Sequence, residues 1–236
     1  MAINDFNFNT KNIIIFQYPP FAGGKFVMNC LGLSDNMVLQ SQSLAQAQID
    51  GNFSFDDKKE YILTHMQTED ILKNNFWGDL KLGCFQLFGL SLFSRQQDWI
   101  GDKQLSLITD TAKFLSSENN NKLLFSLVWH SLAVPSMFPN AKIITFKNNE
   151  QMINHRTSFL KGKTSPYRED EREAERRENN WATFFTWDTE WLYDVSTTTD
   201  GLHELYKLFN LDGWEQAEPF IKEYYHLWRE KNHLPQ

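Results

Sequence analysis

Ile13-Ile14-Ile15-Phe16-Gln17-Tyr18-Pro19-Pro20-Phe21-Ala22-Gly23-Gly24-Lys25 sets a short, continuously apolar and β-branched run directly before a turn rich in Pro and Gly. Such a run reads as a strand buried on both faces, and strands of that kind belong to parallel sheets covered by helices. Beyond the glycines, Phe26-Val27-Met28-Asn29-Cys30-Leu31 continues with helical apolar spacing and ends near Gly32. The order strand, tight loop, helix has a chemical consequence. Glycine lets the backbone fold close to a ligand, and the first N–H groups of the helix point at it, which makes an anion site. Gly23, Gly24, the N–H groups of Lys25 and Phe26, and the Lys25 ammonium are the donors this layout supplies. The nucleotide triphosphatase pattern GxxxxGK[ST] is not met, because Pro19 stands at its first Gly and Phe26 at its Ser/Thr, the hydroxyl that holds Mg²⁺. Anion binding without an obligatory metal is the chemistry implied. A ligand-free tight connection between strand and helix accounts for the same two glycines.

Working outward, a second strand is expected at Glu60-Tyr61-Ile62-Leu63-Thr64, ending in His65, with a helix beginning near Thr68. Phe76 to Gly101 is rich in Phe, Leu, Gly and Trp without a strict period and reads as irregular structure with short helices. Asp102 to Ser117 reads as an amphipathic helix with Leu105, Ile108, Ala112 and Leu115 on one side. Leu123 to Trp129, ending in His130, is the third strand candidate, and Lys142-Ile143-Ile144-Thr145-Phe146 the fourth. Arg168 to Glu178 is nearly all charge of mixed sign, and Glu173 with Arg177 supports a solvated helix by only ~0.2–0.5 kcal/mol. A partner-binding face is the other use of such a segment. Glu190 to Val195 is a candidate last strand, followed by amphipathic helices at Gly201 to Leu208 and Glu218 to Lys231. Apolar strands alternating with helical stretches predict an α/β fold with a parallel sheet. Residues 1–236 are expected to form a single domain, with a mostly helical or irregular insertion over 67–121 and a charged helical excursion over 161–185.

Composition bounds the function. The chain has 236 residues, 41% hydrophobic and 22% charged, with a formal net charge of -7 and an isoelectric point near 5.4. A nonspecific nucleic-acid or anionic-membrane binder needs a basic surplus, so both are disfavoured, and an anionic ligand requires a local pocket. Aromatic residues reach 15%, which suits either a broad core or an aromatic-lined cleft. Cys30 and Cys84 form no CxxC pair, and no His/Cys cluster has zinc spacing, so neither a disulfide scaffold nor a structural metal is expected. Met1 to Asn12 lacks the layout of a signal peptide, and no apolar run approaches the ~20 residues of a membrane span. A cytoplasmic protein is the expectation.

Three regions, in chain order, resemble the sulfotransferase family. Ile15 to Phe26 looks like its 5′-phosphosulfate loop, a strand followed by a Tyr-Pro-Lys-Ser-Gly-Thr-Thr pattern. Phe138-Pro139-Asn140-Ala141-Lys142-Ile143-Ile144-Thr145-Phe146-Lys147-Asn148 is similar to the strand entering its 3′-phosphate site, where members carry an Arg-Asp-Pro step and a later Ser. Trp191-Leu192-Tyr193-Asp194-Val195, with Leu205 to Asp212, looks like its closing strand and its Phe-Leu-Gly-Leu-Asp helix end. Residues 35–120 have no counterpart. The resemblance implies a P-loop-like three-layer sandwich with a central parallel sheet. It also implies 3′-phosphoadenosine 5′-phosphosulfate as cofactor, with adenosine 3′,5′-bisphosphate as product and no metal. By this likeness Pro20, Phe21, Ala22, Gly23, Gly24, Lys25 and Phe26 would hold the 5′ end. The loop departs from the pattern in lacking paired threonines, and the Arg of the 3′-phosphate site is absent. Lys147 or Asn148 stands in that place, His155 or Arg156 stands at the later Ser, and Arg156 would supply the missing charge bidentately.

Sulfuryl transfer, like phosphoryl transfer, is catalysed by positioning and electrostatics, with Lys25 and the loop N–H groups at the charged oxygens. It also needs a base for the acceptor proton, and histidine suits neutral pH. His65 lies in Ile62-Leu63-Thr64-His65-Met66, which locally resembles the family's Lys-Thr-His-Leu-Pro base motif. His130 instead has the family's chain order and is preferred. Two other functions fit the loop: a nucleotide-dependent kinase, which the missing Ser/Thr opposes, and a non-catalytic nucleotide-binding or assembly module.

Overall fold

A computed structural model describes residues 13–18, 22–39, 51–72, 124–128, 140–147, 154, 183–232 and 234. Five strands make one sheet in the order β2-β3-β1-β4-β5, comprising β1 Ile13–Gln17, β2 Met37–Val38, β3 Leu124–Val128, β4 Lys142–Lys147 and β5 Phe185–Asp188. The helices are α1 Gly24–Gly32, α2 Phe55–Leu72, α3 Val195–Phe209 and α4 Trp214–Lys231, with a 3₁₀ turn at Thr189–Tyr193. The class is mixed α/β, as expected from the alternation of apolar strands and helical stretches. All five residues of β1 are buried. Since successive side chains leave a strand on opposite faces, unbroken burial means cover on both sides, which the run from Ile13 to Phe16 predicts.

The chain divides into two compact units, Met1–Ile15 with Asn36–Lys142 and Phe16–Asp35 with Ile143–Gln236. In the first, β2 and β3 pair in parallel, Met37 opposite Leu124 and Val38 opposite Phe125. Helix α2 of this unit corrects the expected strand at Glu60–Thr64: those residues lie inside an α-helix that begins at Phe55. Its start is fixed by a reciprocal cap. Asp57 N donates to Ser54 Oγ at 3.2 Å, while Ser54 N donates to Asp57 Oδ2 at 2.8 Å. Two orphan backbone donors are thereby satisfied, and Asp56 and Asp57 face the positive helix end. Among its described side chains, Lys58 and Ile62, one turn apart, are buried.

In the second unit β4 and β5 run parallel, from Ile144 opposite Phe185 to Lys147 opposite Asp188. The expected last strand at Glu190–Val195 is a 3₁₀ turn followed by the start of α3, and the strand is Phe185–Asp188. Two aspartates decide this. Asp188 accepts from Glu190 N at 3.0 Å and caps the 3₁₀ turn; Asp194 accepts from Thr197 N at 2.7 Å and caps α3. Helix α3 ends at Asn210 in the left-handed conformation, φ 51°, with Leu211 N donating to Tyr206 O at 2.8 Å. Asn tolerates that conformation better than most residues with a Cβ.

The core of this unit is aromatic. Phe26 of α1 lies between Trp228 at 4.7 Å and Tyr224 at 5.2 Å, with Tyr225 edge-on at 6.2 Å. Two buried polar side chains find partners across the helices: Asn29 Nδ2 donates to Tyr224 Oη at 3.0 Å, and Tyr206 Oη to Cys30 O at 2.9 Å. Burial pushes the Cys30 thiol well above its ordinary range, and that cysteine is free. Arg229 ties α4 to the 3₁₀ turn by donating to Tyr193 O at 2.7 Å, and within α4 it donates to Tyr225 Oη at 2.8 Å. Among the described residues no helix is long and apolar enough to cross a membrane.

Candidate functional site

The loop after β1 supplies the first part of the site. Gly23 is left-handed, φ 73°, and caps α1 with its backbone: Val27 N donates to Gly23 O at 3.1 Å. The amides of Gly24, Lys25 and Phe26 precede that first intrahelical bond and form the positive end of the helix. Packing requires glycine at both positions, and φ requires it at Gly23. A Cβ on Gly23 would meet Leu192 Cδ1 at 2.5 Å and the Trp228 ring at 3.3 Å, and one on Gly24 would overlap the Tyr18 ring. The close approach that glycine permits here is therefore made by the protein's own side chains. Lys25 is exposed in the first turn. Phe26, at the Ser/Thr position of a triphosphatase loop, is 1% exposed and committed to the core.

The second part is the end of β4. The Tyr18 and Phe146 rings meet with centroids 5.4 Å apart, which sets the residue following β1 beside the end of β4. Lys147, the last residue of β4, pairs with Asp188 at 3.2 Å, their side chains being 69% and 22% exposed. Thr189 Oγ1 donates to Lys147 O at 2.9 Å and fixes the strand end. Sequence reasoning missed Asp188, whose place depends on the cross-strand register that sets it opposite Lys147. Strand ends of this kind are where ligands bind in open α/β sheets.

Of the sequence-predicted residues, the structure brings together Ala22, Gly23, Gly24, Lys25 and Phe26 at the start of α1. Lys147 stands at the end of β4. His65 is in the middle of α2, so the expectation that it ends a strand is corrected. Pro20, Phe21, His130, Asn148 and Arg156 lie outside the described residues, as do the insertion beyond Leu72 and the charged segment from Arg168 to Glu178. A separate shallow groove of about 370 Å³ runs along α3, lined by Trp191, Asp200, Gly201 and Glu204 among others, and contains none of the predicted residues. Compared with protein-family models, curated proteins and solved structures, the chain matches none.

Proposed function

We propose that the chain is a sulfotransferase-like enzyme that moves a sulfuryl group from 3′-phosphoadenosine 5′-phosphosulfate to an acceptor hydroxyl or amine. The observation that supports this reading is the start of α1: a buried strand, a left-handed Gly23, first-turn amides and an exposed Lys25. Asn210 adds support. It holds the left-handed helix stop in Leu208-Phe209-Asn210-Leu211-Asp212, at the Gly of the resembled helix end.

When bound, the cofactor supplies an activated sulfuryl group. The first-turn amides and Lys25 would bind its phosphosulfate oxygens and stabilise charge that develops there. Lys147 and Arg156 would supply the positive charge for a 3′-phosphate. His130 is the preferred base for the acceptor proton, since His65 lies within a helix and not at a strand end. Phe26 weighs against a kinase, because a ring packed among Tyr224, Tyr225 and Trp228 cannot hold Mg²⁺. A non-catalytic nucleotide-binding module is the second reading, favoured by the neutralising contact of Asp188 on Lys147.

Titration with adenosine 3′,5′-bisphosphate tests the proposal. The wild-type chain binds, Lys25→Ala loses about 10- to 100-fold in affinity, as expected for a charge-assisted contact, and Arg156→Ala binds more weakly. Absence of binding sinks the reading. Binding without sulfuryl transfer to any hydroxyl or amine tried selects the module.

A further inference from the structure

We propose that Asp188 is a specificity-determining residue that lowers affinity for anions at the end of β4: its carboxylate holds the Lys147 ammonium, and an anionic group that uses Lys147 must take it from Asp188. The proposal rests on the anion-site reading given above. Its geometric basis is the unequal freedom of the two partners. Asp188 is the register partner of Lys147 in the parallel pair, so the backbone itself places the acid beside the base. Its Oδ1 accepts from Glu190 N at 3.0 Å while Oδ2 accepts from Lys147 Nζ at 3.2 Å, which pins the carboxylate from two sides. Lys147 reaches it along a flexible four-carbon stem and remains 69% exposed, against 22% for Asp188. The acid is thus the fixed member and the ammonium the one that can swing.

An exposed ion pair of this kind is weak enough for an incoming dianion to compete with, and strong enough to be measured in the competition. A terminal phosphate offers several acceptor oxygens where Asp188 offers one to the ammonium. The cost to the ligand is the loss of the Lys147 to Asp188 contact together with repulsion from a fixed carboxylate. Both vanish in Asp188→Asn, which keeps an amide oxygen able to cap Glu190 N.

Adenosine 3′,5′-bisphosphate titrated at low salt into wild type, Asp188→Asn, Lys147→Gln and the double variant decides the matter. Asp188→Asn is expected to bind about two- to fivefold more tightly than wild type, and the gain is expected to shrink in the Lys147→Gln background and at high salt. A purely structural role for Asp188 would weaken binding instead. Wild-type binding that depends on Lys25, with no tightening in Asp188→Asn or with equal tightening in the Lys147→Gln background, overturns this proposal alone. Absence of binding in every variant overturns the anion-site reading, and this proposal with it.

Discussion

Replacing Phe26 separates a core residue from a ligand-contacting one. Its side chain is 1% exposed, with three aromatic rings around it at 4.7, 5.2 and 6.2 Å. Full burial of a phenylalanine contributes roughly 1.5–3 kcal/mol, and each aromatic pair about 0.5–1.5 kcal/mol more. Truncation to Ala also leaves a hole that Trp228 and the tyrosines fill only in part. Phe26→Ala is therefore expected to cost about 3–5 kcal/mol, a large share of the roughly 5–15 kcal/mol available to a domain. Phe26→Leu, closer in volume, should cost much less and should leave anion affinity unchanged. Urea unfolding followed by tryptophan fluorescence measures the first quantity, and nucleotide titration of Phe26→Leu the second. A Phe26→Ala midpoint indistinguishable from wild type would refute the packing argument; a Phe26→Leu protein that is stable but has lost anion binding would place the ring in the site.

Two further outcomes follow from the backbone. Gly23→Ala is expected to destabilise by about 2–4 kcal/mol, combining a left-handed residue with a Cβ and overpacking against Leu192 and Trp228; thermal melting measures it, and a neutral effect would mean the loop lacks this conformation. The backbone N–H of Thr197, then its hydroxyl, hold the Asp194 carboxyl below its ordinary value of 3.8. A group lowered in the folded state stabilises above its unfolded value and loses that contribution as pH falls through the folded one. The stability gap between wild type and Asp194→Asn should therefore narrow below pH 3.8, and a gap constant from pH 7 to pH 3 in urea titrations would contradict the assignment.

The strands that carry the candidate site were legible because their signal is uninterrupted burial. Ile13 to Phe16 and Ile143 to Phe146 are apolar or β-branched at every step, and such runs are covered on both faces. Tyr61-Ile62-Leu63 was misread because three apolar residues suit a strand and a helix equally. What settles it lies seven residues earlier, in the Ser-x-x-Asp cap at Ser54 and Asp57. The closing strand was placed too late for the same reason. Asp188 and Asp194 are cap residues, and together they turn the apolar Trp191-Leu192 into a 3₁₀ turn where Phe185-Thr186-Trp187 was the strand. In the site, Gly23 and Lys25 were visible as a loop pattern, whereas Asp188 became visible only through register. Phe26 was readable as the wrong residue for Mg²⁺, but its aromatic neighbours come from α4, about 200 residues away in the chain.

Tyr18 links the parts of the candidate site mechanically. Its ring fills the space a side chain on Gly24 would need, and it also rests against Phe146, the residue before Lys147. The helix start that bears Lys25 and the strand end that bears Lys147 therefore share one wedge, so neither shifts without turning or expelling the ring. The spacing of the two ammonium-bearing backbones is in that sense set by an aromatic gauge, and a ligand longer or shorter than that gauge must be met by the lysine side chains alone.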